Sequence, residues 1–198
     1  MPSLVAFDLE TTGLNAKQDS IIEIGAIRFN ENRVEDEFSM LVNPERRIPG
    51  FITQLTGISN EMVRGAPNIH DVIAEFEAFA GDAPVIGHNV RFDLSFVQRY
   101  DVLKYNDVID TYELAAVLLP SAGRYKLGAL SQLLGIPLQN AHRALDDAKA
   151  TQGVFARLYG LAENLPIELV AEIVRQGEPL DWDANWVFQK ILQAKSKQ

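Results

Sequence analysis

The chain has 198 residues, 47% of them hydrophobic and 23% charged, with a net charge of −9. This is the make-up of a soluble globular protein with room for a sizeable core. It contains no cysteine, which excludes disulfides, thiolate metal sites and cysteine nucleophiles. The acidic balance excludes a protein that coats nucleic acid by bulk electrostatics, but not an enzyme gripping one strand end through few phosphate contacts. No run approaches a membrane span, and the N-terminus enters a strand with no signal peptide, so a cytoplasmic protein with no membrane partner is expected.

Residues 4–10 predict the first strand. Side chains on a strand alternate between faces, so Asp8 and Glu10 share one face with Leu4 and Ala6, while Val5, Phe7 and Leu9 share the other. Both faces are apolar until the acids appear, as in a central strand covered on both sides. Two carboxylates at such a strand end repel each other and are costly to bury unpaired. A divalent cation bound by their oxygens relieves that cost. The alternative is a solvated strand end beside the Thr11-Thr12-Gly13-Leu14 turn.

Residues 21–29 and 34–42 read as further strands, joined by a hairpin turn at Asn30-Glu31-Asn32. Pro44 and Pro49 mark a loop, and Ser59 or Asn60 is placed to cap a short helix. Residues 68–80 predict a helix with Ile69, Val72, Ile73, Phe76 and Phe79 on one side. A short buried strand at 84–87 leads through His88-Asn89 into a helix over 90–100. A second short strand at 108–110 precedes a helix that Pro120 ends, and 127–134 and 144–159 are helical. Hairpin-linked strands followed by alternating strands and helices predict an α/β domain with a mixed central sheet flanked by helices. From about residue 161 no strand follows and two helical segments flank Gly177-Glu178-Pro179. The expected organisation is a domain over 1–160 and a helical appendage or linker over 161–198.

Asp93 falls in the first turns of the helix after His88-Asn89, where an acid is also a favourable dipole partner and no more. Late in the chain stands Ala141-His142-Arg143-Ala144-Leu145-Asp146-Asp147-Ala148. On one continuous helix, His142 and Asp147 would be about 140° apart around the axis. They share a site only if His142 lies on the loop before the helix and Asp147 in its first turns. Asn140 and Gly135-Ile136-Pro137 favour that loop.

Three segments together are specific: Phe-Asp-Leu-Glu-Thr-Thr-Gly-Leu, His-Asn-x-x-Phe-Asp and His-x-Ala-Leu-x-Asp-Ala. In content and order they closely resemble the three motifs of the DnaQ-like, DEDDh 3′→5′ exonucleases, over about residues 1–160. That family includes the proofreading subunit of bacterial replicative DNA polymerase, RNase T and oligoribonuclease. The resemblance implies an RNase H-like fold, with Asp8, Glu10, Asp93 and Asp147 as metal-binding acids and His142 as general base. Asp146 competes with Asp147 for the fourth acid, and the spacing from His142 and the following Ala148 favour Asp147. The resemblance also puts Thr11, Thr12, Leu14, Ile58, His88 and Phe92 against the terminal nucleotide, with Leu55-Thr56-Gly57-Ile58 lining its pocket. For Leu14, Ile58 and Phe92, core packing is an equal alternative.

The implied cofactors are two Mg²⁺ or Mn²⁺ ions about 3.5–4 Å apart, with His142 taking a proton from water and a 5′-mononucleotide departing. The implied partners are 3′ ends of single-stranded or frayed nucleic acid, DNA favoured over RNA, and a polymerase or helicase. Residues 165–182 resemble the junction between such a domain and a DinG-type helicase, the alternative being an amphipathic pair packed on the domain. The competing functions are a non-catalytic interaction module and an RNA or oligoribonucleotide exonuclease.

Overall fold

A computed structural model describes residues 3–30, 33–180 and 182–197. Five strands form one mixed sheet: β1 (Leu4–Thr11), β2 (Ile21–Asn30), β3 (Arg33–Leu41), β4 (Val85–Gly87) and β5 (Val108–Asp110), in the order β3-β2-β1-β4-β5. The pairs β1/β2 and β2/β3 are antiparallel, and β1/β4 and β4/β5 are parallel. Of the expected hairpin turn Asn30-Glu31-Asn32, Asn30 belongs to β2 and pairs with Arg33, and residues 31 and 32 lie outside the described residues. β1 is the central strand, as its two apolar faces require.

The alternation read from residues 4–10 divides the core. Val5, Phe7 and Leu9 pack under α3 (Ile69–Ala80) and α4 (Arg91–Val97), with Phe7 and Phe76 rings 5.7 Å apart. Leu4 and Ala6 face the other layer. That layer holds α5 (Thr111–Leu118), α6 (Leu127–Leu134) and the long α7 (Ala144–Glu163). Asn68 caps α3 through its side chain. Helix α4 closes in a single 3₁₀ turn at Gln98–Tyr100.

Between β3 and α3 the chain forms α1 (Gly50–Thr56) and α2 (Asn60–Val63), the latter capped by Ser59. The proline-marked loop gave no sign of α1, whose burial is confined to a small satellite core. In it Ile58 is fully buried with Ile22, Ile48, Ile52 and Val63. Packing is therefore the role the structure displays for Ile58, since no part of its side chain reaches the surface.

Helix α7 continues one turn past the expected stop, through Gly160 to Glu163. Beyond it α8 (Ile167–Gly177) and α9 (Asn185–Lys195) turn back onto the sheet. Val170, Val174, Val187, Phe188 and Ile191 join Phe29, Phe155 and Leu158 in one cluster. No described helix is long and apolar enough to cross a membrane.

Candidate active site

The site forms where β1 and β4 part. Their pairing reaches only Ala6↔Ile86, after which β4 ends at Gly87 and the chain turns away through His88-Asn89. The edge of β1 beyond that point is left without a strand partner on the β4 side. Asp93, on the first turn of α4, supplies one: its Oδ1 accepts the Leu9 N–H at 3.2 Å. This hydrogen bond brings the middle acid beside the two acids of β1. Asp110, at the end of β5, fixes the turn that carries it. Its carboxylate accepts the N–H groups of Asn89 (3.0 Å), Val90 (3.0 Å) and Tyr112 (2.8 Å). Asn89 takes a left-handed conformation there, with φ 61°.

The third contribution comes from α7. In β2, Glu23 and Gly25 lie on the same face as Asp8 and Glu10, with register partners Glu10↔Glu23 and Asp8↔Gly25. A Cβ at Gly25 would stand 2.1 Å from the Leu145 nitrogen and 2.2 Å from the Ala144 carbonyl carbon. Only glycine lets the start of α7 lie on the sheet here. Glu23 then holds that start: Oε2 accepts Ala144 N–H at 3.0 Å, and the carboxylate meets the Arg143 guanidinium through Nε (3.1 and 3.2 Å) and Nη2 (2.6 Å). Composition and motif spacing gave no signal for Glu23 and Arg143 as a pair.

His142 stands just before this helix with φ 67°, off the helix as the spacing required. Its backbone N–H donates to Asp147 Oδ2 at 2.9 Å, so loop and first turn close on each other. Asp146 instead accepts from Asn140 Nδ2 at 2.9 Å, on the exposed side. Ligand atoms of Glu10, His142 and Asp147 all lie within 4.8 Å of one another.

The electrostatics show an unmet demand for positive charge. Burial first, and then the carboxylates of Asp93, Asp147, Glu10 and Glu23, push Asp8 well above the usual carboxylate range. Burial, Asp147 and Glu23 push Glu10 up to about 8, against the opposing pull of Arg143. Burial pushes Asp93 up to about 8 despite the stabilising backbone N–H groups. Burial also raises Asp147, against the donated N–H of His142. A self-repelling, mostly buried all-oxygen set with one exposed imidazole beside it fits divalent cations such as Mg²⁺ or Mn²⁺.

A cleft of about 900 Å³ opens over these groups, with Asp8, Asp147, His142 and His88 in its lining. His88 Nδ1 lies 2.9 Å from Thr111 Oγ1, whose own proton goes to Gly87 O at 3.1 Å. The ring nitrogen is therefore the donor in that contact. Burial lowers the His88 pKa, with Asp110 pulling the other way. The other residues expected at a terminal nucleotide are placed differently. Thr11 and Thr12 are buried, Thr11 Oγ1 donating to Gly13 O at 2.6 Å and Thr12 Oγ1 to Asp19 at 3.2 Å. Leu14 is 86% exposed at the turn. Phe92 is half-buried against Phe96, ring centres 5.2 Å apart.

Comparison with known proteins agrees with this architecture. A family described as Exonuclease matches residues 5–155. The PolC-type DNA polymerase III of Caldanaerobacter subterraneus subsp. tengcongensis is 40% identical over 173 residues, 85% of this chain and 12% of that protein. The chain thus spans about one tenth of the length of the curated relatives it matches. Exonuclease X, solved in complex with 5′-overhanging duplex DNA, has a TM-score of 0.67 and 29% identity, covering 79% of this chain and 91% of that one. The nuclease domain of 3′hExo, a DEDDh family member bound to rAMP, shares the fold at a TM-score of 0.68 and 20% identity, covering 80% and 92%. With the family matched across most of its length, and with the mixed sheet of these RNase H-like enzymes, the chain belongs to the exonuclease family.

Proposed function

We propose that this chain is a metal-dependent 3′→5′ exonuclease that hydrolyses single-stranded or frayed ends, DNA in preference to RNA, and releases 5′-mononucleotides. One observation carries the reading. Asp8 and Glu10 from β1, Asp93 from α4 and Asp147 from α7 converge as mutually repelling carboxylates, Asp8 half-buried at the cleft and the other three buried, with His142 alongside. Such a cluster is costly unless cations join it.

Asp8, Glu10, Asp93 and Asp147 would hold two divalent ions, which supply Lewis-acid activation of water and of the phosphoryl oxygens. His142, exposed at the rim of the cleft on its left-handed turn, accepts the proton of the attacking water. The new P–O bond forms as the bond to the 3′-oxygen of the preceding nucleotide breaks, and that oxygen takes up a proton. Asp147 holds the His142 backbone, and Glu23 with Arg143 holds the turn between them. The family's occurrence within PolC-type DNA polymerases III supports DNA as the substrate and a polymerase as the partner.

The test is hydrolysis of 5′- and 3′-labelled single-stranded DNA and RNA with Mg²⁺ or Mn²⁺, wild type against Asp8→Ala and His142→Ala. The 3′ label should leave first, as a mononucleotide, and EDTA should stop the reaction. His142→Ala should lose about 10²–10⁴-fold in kcat while still binding Mn²⁺ and oligonucleotide. Undiminished activity in EDTA or in Asp8→Ala would refute the assignment.

A further inference from the structure

The cleft over the acids has a second wall, and that wall is basic. It is formed by the connection from α5 to α6, in which residues 119–126 have no regular helix or strand. Tyr125 anchors this connection. Its hydroxyl donates to Leu119 O at 2.8 Å, its ring meets Tyr112 edge-on at 5.8 Å, and it packs against the core beside α7. Neighbouring side chains on an extended run point opposite ways. With Tyr125 turned inward, Arg124 and Lys126 both stand outward, exposed, and both line the cleft.

Neither cation has a hydrogen-bond or ion-pair partner among the described residues. In a chain with 27 acids against 18 lysines and arginines, these two cations stand in the lining of the cleft that holds Asp8 and Asp147. Their wall continues into the start of α6, which has no side-chain cap and whose Gly128 also lines the cleft. The positive end of that helix adds to the field of the two cations. Tyr112 lies in the same lining, 44% exposed, with His88 edge-on behind it at 6.0 Å. Cations along an extended backbone with an open aromatic face are what hold a single strand, phosphates on the cations and a base on the ring.

We propose that residues 123–128 bind the strand upstream of the scissile phosphate, Arg124 and Lys126 each taking one backbone phosphate and Tyr112 stacking a base. This rests on the exonuclease reading above and adds the path of the strand away from the acids. It also reconciles polynucleotide binding with a net charge of −9, since two local contacts replace a basic surface.

The test uses the full chain with Arg124→Gln, Lys126→Gln, the double variant and Tyr112→Leu, their folds checked by circular dichroism. Lys195→Gln with Lys197→Gln, outside the cleft, serves as the control. Hydrolysis of a thymidine dodecamer and of a dinucleotide is followed in Mn²⁺ at several salt concentrations. Dodecamer binding is read by fluorescence anisotropy in Ca²⁺. In the double variant the slope of log affinity against log salt should fall by about 1.4, or about 0.7 for each lost phosphate contact on a single strand. The dodecamer KM should rise about tenfold near physiological salt, with a much smaller loss on the dinucleotide, which has no phosphate upstream of the scissile one. Tyr112→Leu should bind the dodecamer about fivefold or more weakly with the salt slope unchanged. A double variant with wild-type slope and KM would overturn the proposal, as would equal losses on the dinucleotide. If the unmodified chain hydrolyses neither substrate, the exonuclease reading falls by itself, and the salt slope of binding still decides whether this surface holds a strand.

Discussion

Glu10 and Glu23 sit directly opposite each other in the β1–β2 ladder, both buried, and Arg143 bonds directly to Glu23 alone. Glu23 has Arg143 and the Ala144 N–H. Glu10 is bonded to neither and feels Arg143 only at a distance, so among the surrounding carboxylates its pKa is raised to about 8. Like charges across a ladder destabilise it, so neutralising Glu23 internally leaves the unmet demand on the side that faces the cleft.

From this pair comes a first prediction. Arg143→Gln leaves the Glu23 carboxylate, 2% exposed, without its cation. Breaking such a pair costs about 3–5 kcal/mol when both partners are buried, and about 1–3 kcal/mol here, because the Arg143 side chain is 40% exposed to screening solvent. Glu23→Gln should cost less, since an amide oxygen still accepts the Ala144 N–H. Denaturant unfolding measures both. Turnover should fall in each through kcat, because the turn carrying His142 loosens. An Arg143→Gln protein as stable and active as wild type would show that the pair does not position the site.

The raised acids set a pH dependence with a definite sign. Glu10 goes from an ordinary 4.5 to about 8, Asp93 from 3.8 to about 8, and Asp8 and Asp147 shift the same way. The folded chain thus binds these protons more tightly than the unfolded chain. Their contribution to stability is fully present below the unfolded values and is lost as pH rises through about 8. In EDTA the melting temperature should therefore fall between pH 5 and pH 8. Mn²⁺ should restore it, and by more at pH 8, each kcal/mol being worth about 2–4 °C. Asp8→Asn should flatten the decline while abolishing turnover. A melting temperature in EDTA that rises from pH 5 to pH 8, in wild type and Asp8→Asn alike, would contradict this.

Shortening the chain to residues 1–163 removes α8 and α9 from the cluster shared with Phe155 and Leu158. Val187 and Phe188, both 0% exposed, account for about 3–6 kcal/mol of burial between them, against a typical total stability of about 5–15 kcal/mol. The truncated chain should unfold at much lower denaturant or aggregate, by circular dichroism and light scattering. Unfolding at the full-length midpoint would show that these helices merely rest on the domain.

The strands, the chain order of the acids and the shared face of Asp8 and Glu10 were fixed by local information. Alternation along residues 4–10 is a property of the backbone, and it sorts Leu4 and Ala6 from Val5 and Phe7 into the two layers found. The motif spacing likewise required His142 to lie off the helix that carries Asp147, and its left-handed φ of 67° puts it there. Periodicity carries no information about which distant residues meet. Glu23 and Arg143 are 120 positions apart; nothing in either segment names the other, and only the passage of α7 over Gly25 brings them together. The apolar character of Ile58 suited a nucleotide pocket and a core equally well, and the docking of α1 enclosed it. The same holds for Arg124 and Lys126: their charge is written in the chain, but that they face Asp8 and Asp147 across one cleft follows from the sheet order, which seats the α5–α6 connection opposite the start of α7.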